Sequence, residues 1–336
     1  MKVFEIGDQT GLASLTAAER PDPAPGPGEV VLRVRAVCLN HRDLNIVSGL
    51  YGSKKPAGRI PVSDGIGEVI ALGDGVSGIK PGDRAICGHF VAWLDGAFTP
   101  SVFARDLGVT LDGWLAEQIV VPASALVIVP DTLSDERAVP LGAAGLTAWH
   151  ALVEVGRIKA GDLVLALGTG GVSIMALQIA KLHGARVAIT SSSNEKLEQV
   201  RALGADICVN YRTNPGWAAA VMQEGGADII VETGGLATLA GSITAAAPNA
   251  RVVLIGALGG VPDQILPNFS TIIGKNLVLR GITAGNRRML SDLVRAVDAG
   301  GMVPVIGKRF GFAEAGAAYA YLKSGACMGK VLVEIA

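Results

Sequence analysis

Leu163-Val164-Leu165-Ala166-Leu167-Gly168-Thr169-Gly170-Gly171-Val172-Ser173 decides the fold. An unbroken apolar run ends in closely spaced glycines, and Ile174 to Lys181 then carries a helical pattern. A strand with both faces covered by helices reads as such a run. The glycines let the backbone turn tightly and approach a pyrophosphate, which rests on the amide-rich, positive end of the following helix. Turns need glycine anyway, so the pattern speaks through its context of strand before and helix after. The reading is a dinucleotide loop formed by Gly168, Thr169, Gly170, Gly171 and Val172. Ser173 stands at the fingerprint's third glycine. That position serves close packing of helix on strand, so the serine is expected to strain packing more than binding.

Downstream, strand and helix alternate. Strands are expected at Arg186 to Thr190, Ile207 to Asn210, Ile229 to Val231 and Arg251 to Ile255, with helices between them. This is the signature of a parallel sheet sandwiched by helices. Upstream, Glu29-Val30-Val31-Leu32-Arg33-Val34-Arg35 alternates apolar and charged residues, the period of a sheet with one wet face. Lys330-Val331-Leu332-Val333-Glu334-Ile335 returns to alternation and is expected to rejoin the first part of the chain. The fold class is therefore α/β, a Rossmann doubly wound parallel sheet domain plus a β-rich domain.

Length and composition agree with two domains: 336 residues, half of them hydrophobic, 4% aromatic, 45 glycines. A net charge of -1 gives no footprint for nucleic acid or an anionic membrane. The longest apolar runs break well short of the roughly 20 residues a membrane span needs. Cys38, Cys87, Cys208 and Cys327 form no Cys-x-x-Cys pair, so neither a zinc ribbon nor a thioredoxin-type centre is written here. The expectation is a soluble, cytoplasmic protein with reduced thiols.

Further motifs are Leu39-Asn40-His41-Arg42-Asp43, Ser63-Asp64-Gly65-Ile66-Gly67-Glu68-Val69, Lys80-Pro81-Gly82-Asp83-Arg84, Gly142-Ala143-Ala144-Gly145-Leu146-Thr147-Ala148-Trp149 and Leu203-Gly204-Ala205-Asp206. In order and spacing the chain resembles the medium-chain dehydrogenase/reductase superfamily over essentially its full length. The resemblance is to the zinc-independent quinone oxidoreductase and zinc-type alcohol dehydrogenase-like branch. It implies a GroES-like catalytic domain from residues 1–125 and 285–336, and a Rossmann domain over 126–284. It also implies nicotinamide contacts from Thr147, Gly256, Ala257, Ile282 and Thr283, and a phosphate neighbour at Tyr211. The edge strand Asn276 to Arg280 implies a homodimer.

Zinc-dependent relatives hold their catalytic metal with two Cys and one His. The matching positions here are Asn40, Asp64 and Ala143 or Ala144, so no metal is expected. An alternative cage would need Cys38, His41, Cys87 and His89 to converge. In an NAD site a carboxylate about 20 residues past the glycines meets the ribose hydroxyls. Ser191 falls there instead. With Ser192 and Lys196 beside it, donors and positive charge suit a 2′-phosphate, which favours NADPH over NADH.

Without a metal, hydroxyls, amides or water must stabilise a growing oxyanion. Conjugated carbonyls need less such help, because their charge delocalises. The expected enzyme is an NADPH-dependent oxidoreductase acting on a quinone or an α,β-unsaturated ketone or aldehyde. Asn40, Tyr51 and Asp64 are the candidate catalytic residues. The alternatives are an alcohol dehydrogenase or carbonyl reductase, and a non-catalytic NADPH-binding protein. Phe90, Trp93, Phe98, Phe103 and Trp114 either line a substrate pocket or form a satellite core.

Overall fold

In the computed structural model, which describes residues 1–256, 258 and 268–335, Leu163–Leu167 is a strand buried along its whole length. The chain folds into two compact units, one of Met1–Leu146 with Gly285–Ala336, the other of Thr147–Ala284. Residues 126–146, placed by the sequence in the second domain, fold with the first. The short strand Val127–Ile128 pairs with Arg84–Ile86, and two residues carry no periodicity that could be read beforehand.

The unit Thr147–Ala284 is built on a six-stranded, all-parallel sheet. Its spatial order is Ile207–Asn210, Arg186–Ser191, Leu163–Leu167, Ala227–Glu232, Ala246–Leu254, Val278–Gly281. Numbered along the chain this is 3-2-1-4-5-6, the doubly wound order, with its switch point between Leu163–Leu167 and Ala227–Glu232. The helix Gly171–Leu182 follows the glycine turn. Ser173 does not strain that junction. Its Oγ donates to the Leu167 carbonyl at 2.7 Å, so the buried hydroxyl is satisfied and ties the helix to the end of the strand.

The other unit holds a hairpin of Lys2–Ile6 and Leu15–Glu19, and a seven-stranded sheet. Glu29–Leu39 is the centre of the sheet, and Gly65–Leu72, Gln118–Pro122 and Lys330–Glu334 all pair with it antiparallel. Val331 lies opposite Leu39, so the late strand does rejoin the early one. Trp114, fully buried, packs flat on Gly65. A Cβ there would stand 2.4 Å from the indole, so only glycine lets the chain pass. Phe90, Trp93 and Val102 form a small core of their own, edged by Phe98 and Phe103. These four aromatics form a satellite core, whereas Trp114 belongs to the main core of this unit. No single described helix is long and apolar enough to cross a membrane.

Candidate active site

Asn40 follows the central strand Glu29–Leu39 and is the N-cap of the helix His41–Val47. Asp43 accepts the Asn40 backbone N–H at 2.7 Å, and the Ser63 hydroxyl lies 3.2 Å from its other oxygen. Asp43 is fully buried and fastens the helix start to the segment carrying Asp64. Burial pushes its carboxyl up, while the neighbouring Arg42 charge opposes that.

Asp64 precedes the strand Gly65–Leu72 and is itself inaccessible. Its Oδ2 lies 3.5 Å from Asn40 Nδ2 and 3.3 Å from the ammonium of Lys330, which is 3% exposed. Lys330 Nζ also donates to the Leu39 carbonyl at 3.0 Å and to Asn40 Oδ1. Asp64 Oδ1 is buried with no hydrogen-bond partner among the described residues. The segment carrying Ala143 closes on it, because a Cβ at Gly142 would stand 2.5 Å from that oxygen. Asn40 and Asp64 are thus brought together, and Lys330, which sequence reasoning read only as part of a strand rejoining the first part of the chain, joins them. Its signal was a lone cation opening an apolar strand.

Burial pushes the Asp64 carboxyl up from 3.8 to about 6, with Lys330 pulling the other way. A carboxyl raised on folding stabilises the protein most at low pH, and that contribution is lost as pH rises through about 6. Urea unfolding from pH 4 to 7 should therefore show wild type losing on the order of 2 kcal/mol relative to Asp64→Asn. A pH-independent difference between the two proteins would contradict a carboxylate ionising in this window.

Tyr51 does not join that cluster. Its ring lies 4.8 Å from the Arg42 guanidinium carbon, and Lys55 Nζ lies 5.6 Å from the ring centroid. Arg42 Nη2 in turn donates to both oxygens of Asp106 at 2.8 and 2.7 Å. Burial raises the Tyr51 hydroxyl, against the pull of Arg42.

In the Rossmann unit Gly168 has a φ of +75°, which glycine adopts without strain. A Cβ at Gly168 or Gly170 would meet nothing within 4 Å, so the backbone lies open to a ligand. Gly170 caps the helix, and the amides of its first turn, at Gly171, Val172 and Ser173, have no acceptor within the helix. Thr169 is buried beside them.

Ser191 ends the next strand, and its Oγ accepts the Ser193 N–H at 3.2 Å. Ser193 caps the helix Asn194–Ala202 by accepting from Lys196 N, and Glu195 is exposed in its first turn. The Tyr211 amide donates to the Ser191 carbonyl at 3.1 Å, which brings Tyr211 beside Ser191 and Ser192. No carboxylate occupies this strand end.

Gly256 and Ile282 are held by backbone bonds to Glu232 and Leu254 at 3.4 and 3.0 Å. Ala257 lies outside the described residues. Thr283 Oγ1 is buried with no hydrogen-bond partner among the described residues, and its carbonyl lies 3.1 Å from His150 Nδ1. Thr147 is buried. Glu232, which sequence reasoning passed over, is buried at a strand end. It accepts from the Gly234 and Gly235 amides, Thr238 and Ser242, a role that caps the helix Leu236–Ala245.

Among the described residues no group of three or more His, Cys, Asp or Glu is placed to hold a metal ion. At residues 40, 64 and 143 or 144 an amide, a carboxylate and a methyl replace the thiolates and imidazole that bind zinc well. The Asp64 carboxylate is already paired with the Lys330 ammonium, which leaves it a poorer ligand for a metal. The residues do not fit a catalytic zinc. They do fit a dinucleotide: an open glycine turn, free helix amides and an orphaned threonine hydroxyl.

The family model of the alcohol dehydrogenase GroES-like domain matches residues 26–131, and that of zinc-binding dehydrogenase matches residues 171–314. The second match excludes residues 40, 64 and 143. A zinc-type alcohol dehydrogenase-like protein of Schizosaccharomyces pombe is 41% identical over 92% of this chain and 91% of its own. An acryloyl-coenzyme A reductase of Metallosphaera sedula is 30% identical over 94% and 95%. The crystal structure of an NAD-dependent alcohol dehydrogenase superimposes with a TM-score of 0.91 at 33% identity, covering both chains completely.

Proposed function

Because the chain belongs to the medium-chain dehydrogenase/reductase superfamily and is an oxidoreductase of that family, we propose that it reduces a quinone or an α,β-unsaturated ketone or aldehyde with NADPH, without a catalytic metal. The observation that carries this reading is the buried cluster of Asn40, Asp64 and Lys330, where a paired ammonium and carboxylate hold the Asn40 amide. The nicotinamide supplies the hydride. Asn40 Nδ2 donates to the carbonyl oxygen as negative charge grows on it, and Tyr51 is a second candidate donor. Asp64 keeps the ammonium in place. An amide and a paired ammonium polarise a carbonyl far less than a divalent cation does. Delocalisation along a conjugated system makes up the difference, and the acryloyl-coenzyme A reductase among the relatives acts on such a system by name.

The helix amides at Gly171 and Val172 and the turn of Gly168 to Gly170 would hold the pyrophosphate, with Thr147, Gly256, Ile282 and Thr283 at the nicotinamide end. Ser191, Ser192, Lys196 and Tyr211 would take the 2′-phosphate. NADH with alcohol dehydrogenase or carbonyl reductase chemistry is the second reading, favoured by the NAD-dependent structural relative. The protein is proposed to act as a homodimer through the outermost strand, Val278–Gly281, where Val278, Ile273 and Phe269 are exposed apolar side chains.

The test is oxidation of NADPH by chelator-treated protein against enones, quinones, aldehydes and ketones. Turnover of a conjugated carbonyl that survives chelation is the expected result. Activity lost with about one metal ion per chain removed would overturn the metal-free site. Tight NADPH binding without turnover would leave a binding protein. In the same assay Tyr51→Phe, which keeps the ring on Arg42, should lower kcat by on the order of tenfold if the hydroxyl donates. Unchanged kinetics would remove Tyr51 from the mechanism.

A further inference from the structure

We infer that Lys330 is a positioning residue of the reduction. Its ammonium bonds both Asn40 and Asp64, and it fixes which end of the Asn40 amide faces the substrate. The inference rests on the metal-free reductase reading and deepens it.

Three observations carry it. First, an ammonium has three N–H donors, and here three acceptors face it: the Leu39 carbonyl, Asn40 Oδ1 and Asp64 Oδ2. None is left for a substrate, so Lys330 acts through its neighbours. Second, the Asn40 amide lies between an ammonium and a carboxylate. Only one orientation puts its oxygen against the donor and its NH2 against the acceptor, and that orientation is the one present. Third, the remaining contacts of Asn40 Nδ2 are long, 3.3 Å to the Cys38 carbonyl and 3.5 Å to Asp64 Oδ2. Its hydrogens are weakly engaged and available to a carbonyl oxygen. The hydrogen bond that the ammonium donates to Oδ1 also polarises the amide and strengthens its N–H donors.

The pair has a chemical consequence for substrate choice. Lys330 and Asp64 are nearly inaccessible and opposite in charge, so the cluster offers oriented dipoles and little net charge. Oriented dipoles stabilise an oxyanion that spreads over a conjugated system. They do little to ionise a bound alcohol, which in zinc-dependent enzymes is the task of the metal. The cluster therefore selects conjugated carbonyls and disfavours oxidation of simple alcohols.

The experiment compares chelator-treated wild type with Lys330→Arg, Lys330→Met and the double variant Lys330→Met/Asp64→Asn. The double variant removes both buried charges together and keeps the protein folded if the single one does not. Kinetics with an enone and calorimetric titration of NADPH are the readouts. The double variant should lose on the order of a hundredfold in kcat, with the NADPH Kd unchanged. Adding Asn40→Leu to it should cost little more, because the two residues act as one unit. Three outcomes would overturn the inference: kcat within about threefold of wild type, a loss confined to NADPH affinity, or an Asn40→Leu penalty as large in the double variant as in wild type. Lys330→Arg, which keeps charge and donors, should retain more activity than the double variant, and equal loss in both would also count against it. Wild type inactivated by chelation would sink the metal-free reading itself, and that result is separate from any behaviour of Lys330.

Discussion

Asn40→Leu lowers kcat and kcat/KM for enone reduction together, by on the order of a hundredfold to a thousandfold, and leaves NADPH affinity unchanged. Leucine keeps the size and shape of asparagine and removes the Nδ2 donor. A preorganised donor aimed at a developing oxyanion gives losses of that size when deleted, because its bond strengthens only in the transition state. The variant also strips one acceptor from Lys330 Nζ, which keeps Leu39 and Asp64. Steady-state kinetics with NADPH saturating would check the result. A raised KM with unchanged kcat would show that Asn40 only helps to bind substrate, and the oxyanion donor would then have to be sought at Tyr51 or in water.

Ser191→Asp reverses the cofactor preference. The hydroxyl at this strand end already accepts the Ser193 amide at 3.2 Å, a bond that a carboxylate can keep, so the turn should survive the change. A carboxylate beside Ser192 and Tyr211 repels a 2′-phosphate and instead accepts from the ribose hydroxyls of NADH. NADPH affinity should fall by on the order of a hundredfold while NADH affinity rises. Lys196→Ala should weaken NADPH by about tenfold, the scale of one charge-assisted contact. Calorimetric titration checks both. Equal or stronger binding of NADH by the wild type would reject the 2′-phosphate site.

The Rossmann unit was legible because its information is local. Leu163–Leu167 is apolar without interruption because helices cover both faces, and the glycines that follow meet a helix start within a few residues. Asn40 and Asp64 were found because each sits in a contiguous motif. Lys330 was not, since the bond to Asn40 spans 290 positions and strand alternation says nothing of what a charged end touches. The domain boundary failed for a related reason: Val127–Ile128 is a strand only because a partner from Arg84–Ile86 pairs with it. Ser173 was read as a misfit because its type differs from glycine, yet the acceptor that satisfies it is the carbonyl ending the preceding strand. Local pattern named the residue types. Long-range pairing set their partners.

That 290-residue span also makes the cluster late to form in the cell. At translation speeds of about 5–20 residues per second, Asn40 and Asp64 emerge roughly 15 to 60 s before Lys330 is made. Throughout that wait, Ala36 to Leu39 lack the partner strand that pairs with them in the finished sheet. They form an open edge of the sort that recruits other nascent chains. The helices and strands of Thr147–Ala284 depend on no such late segment and can form first. The orientation of the Asn40 amide is thus set only after the whole of Thr147–Ala284 has been made. A chaperone that shields the open edge should raise the yield of active protein more than it raises the yield of folded Rossmann unit.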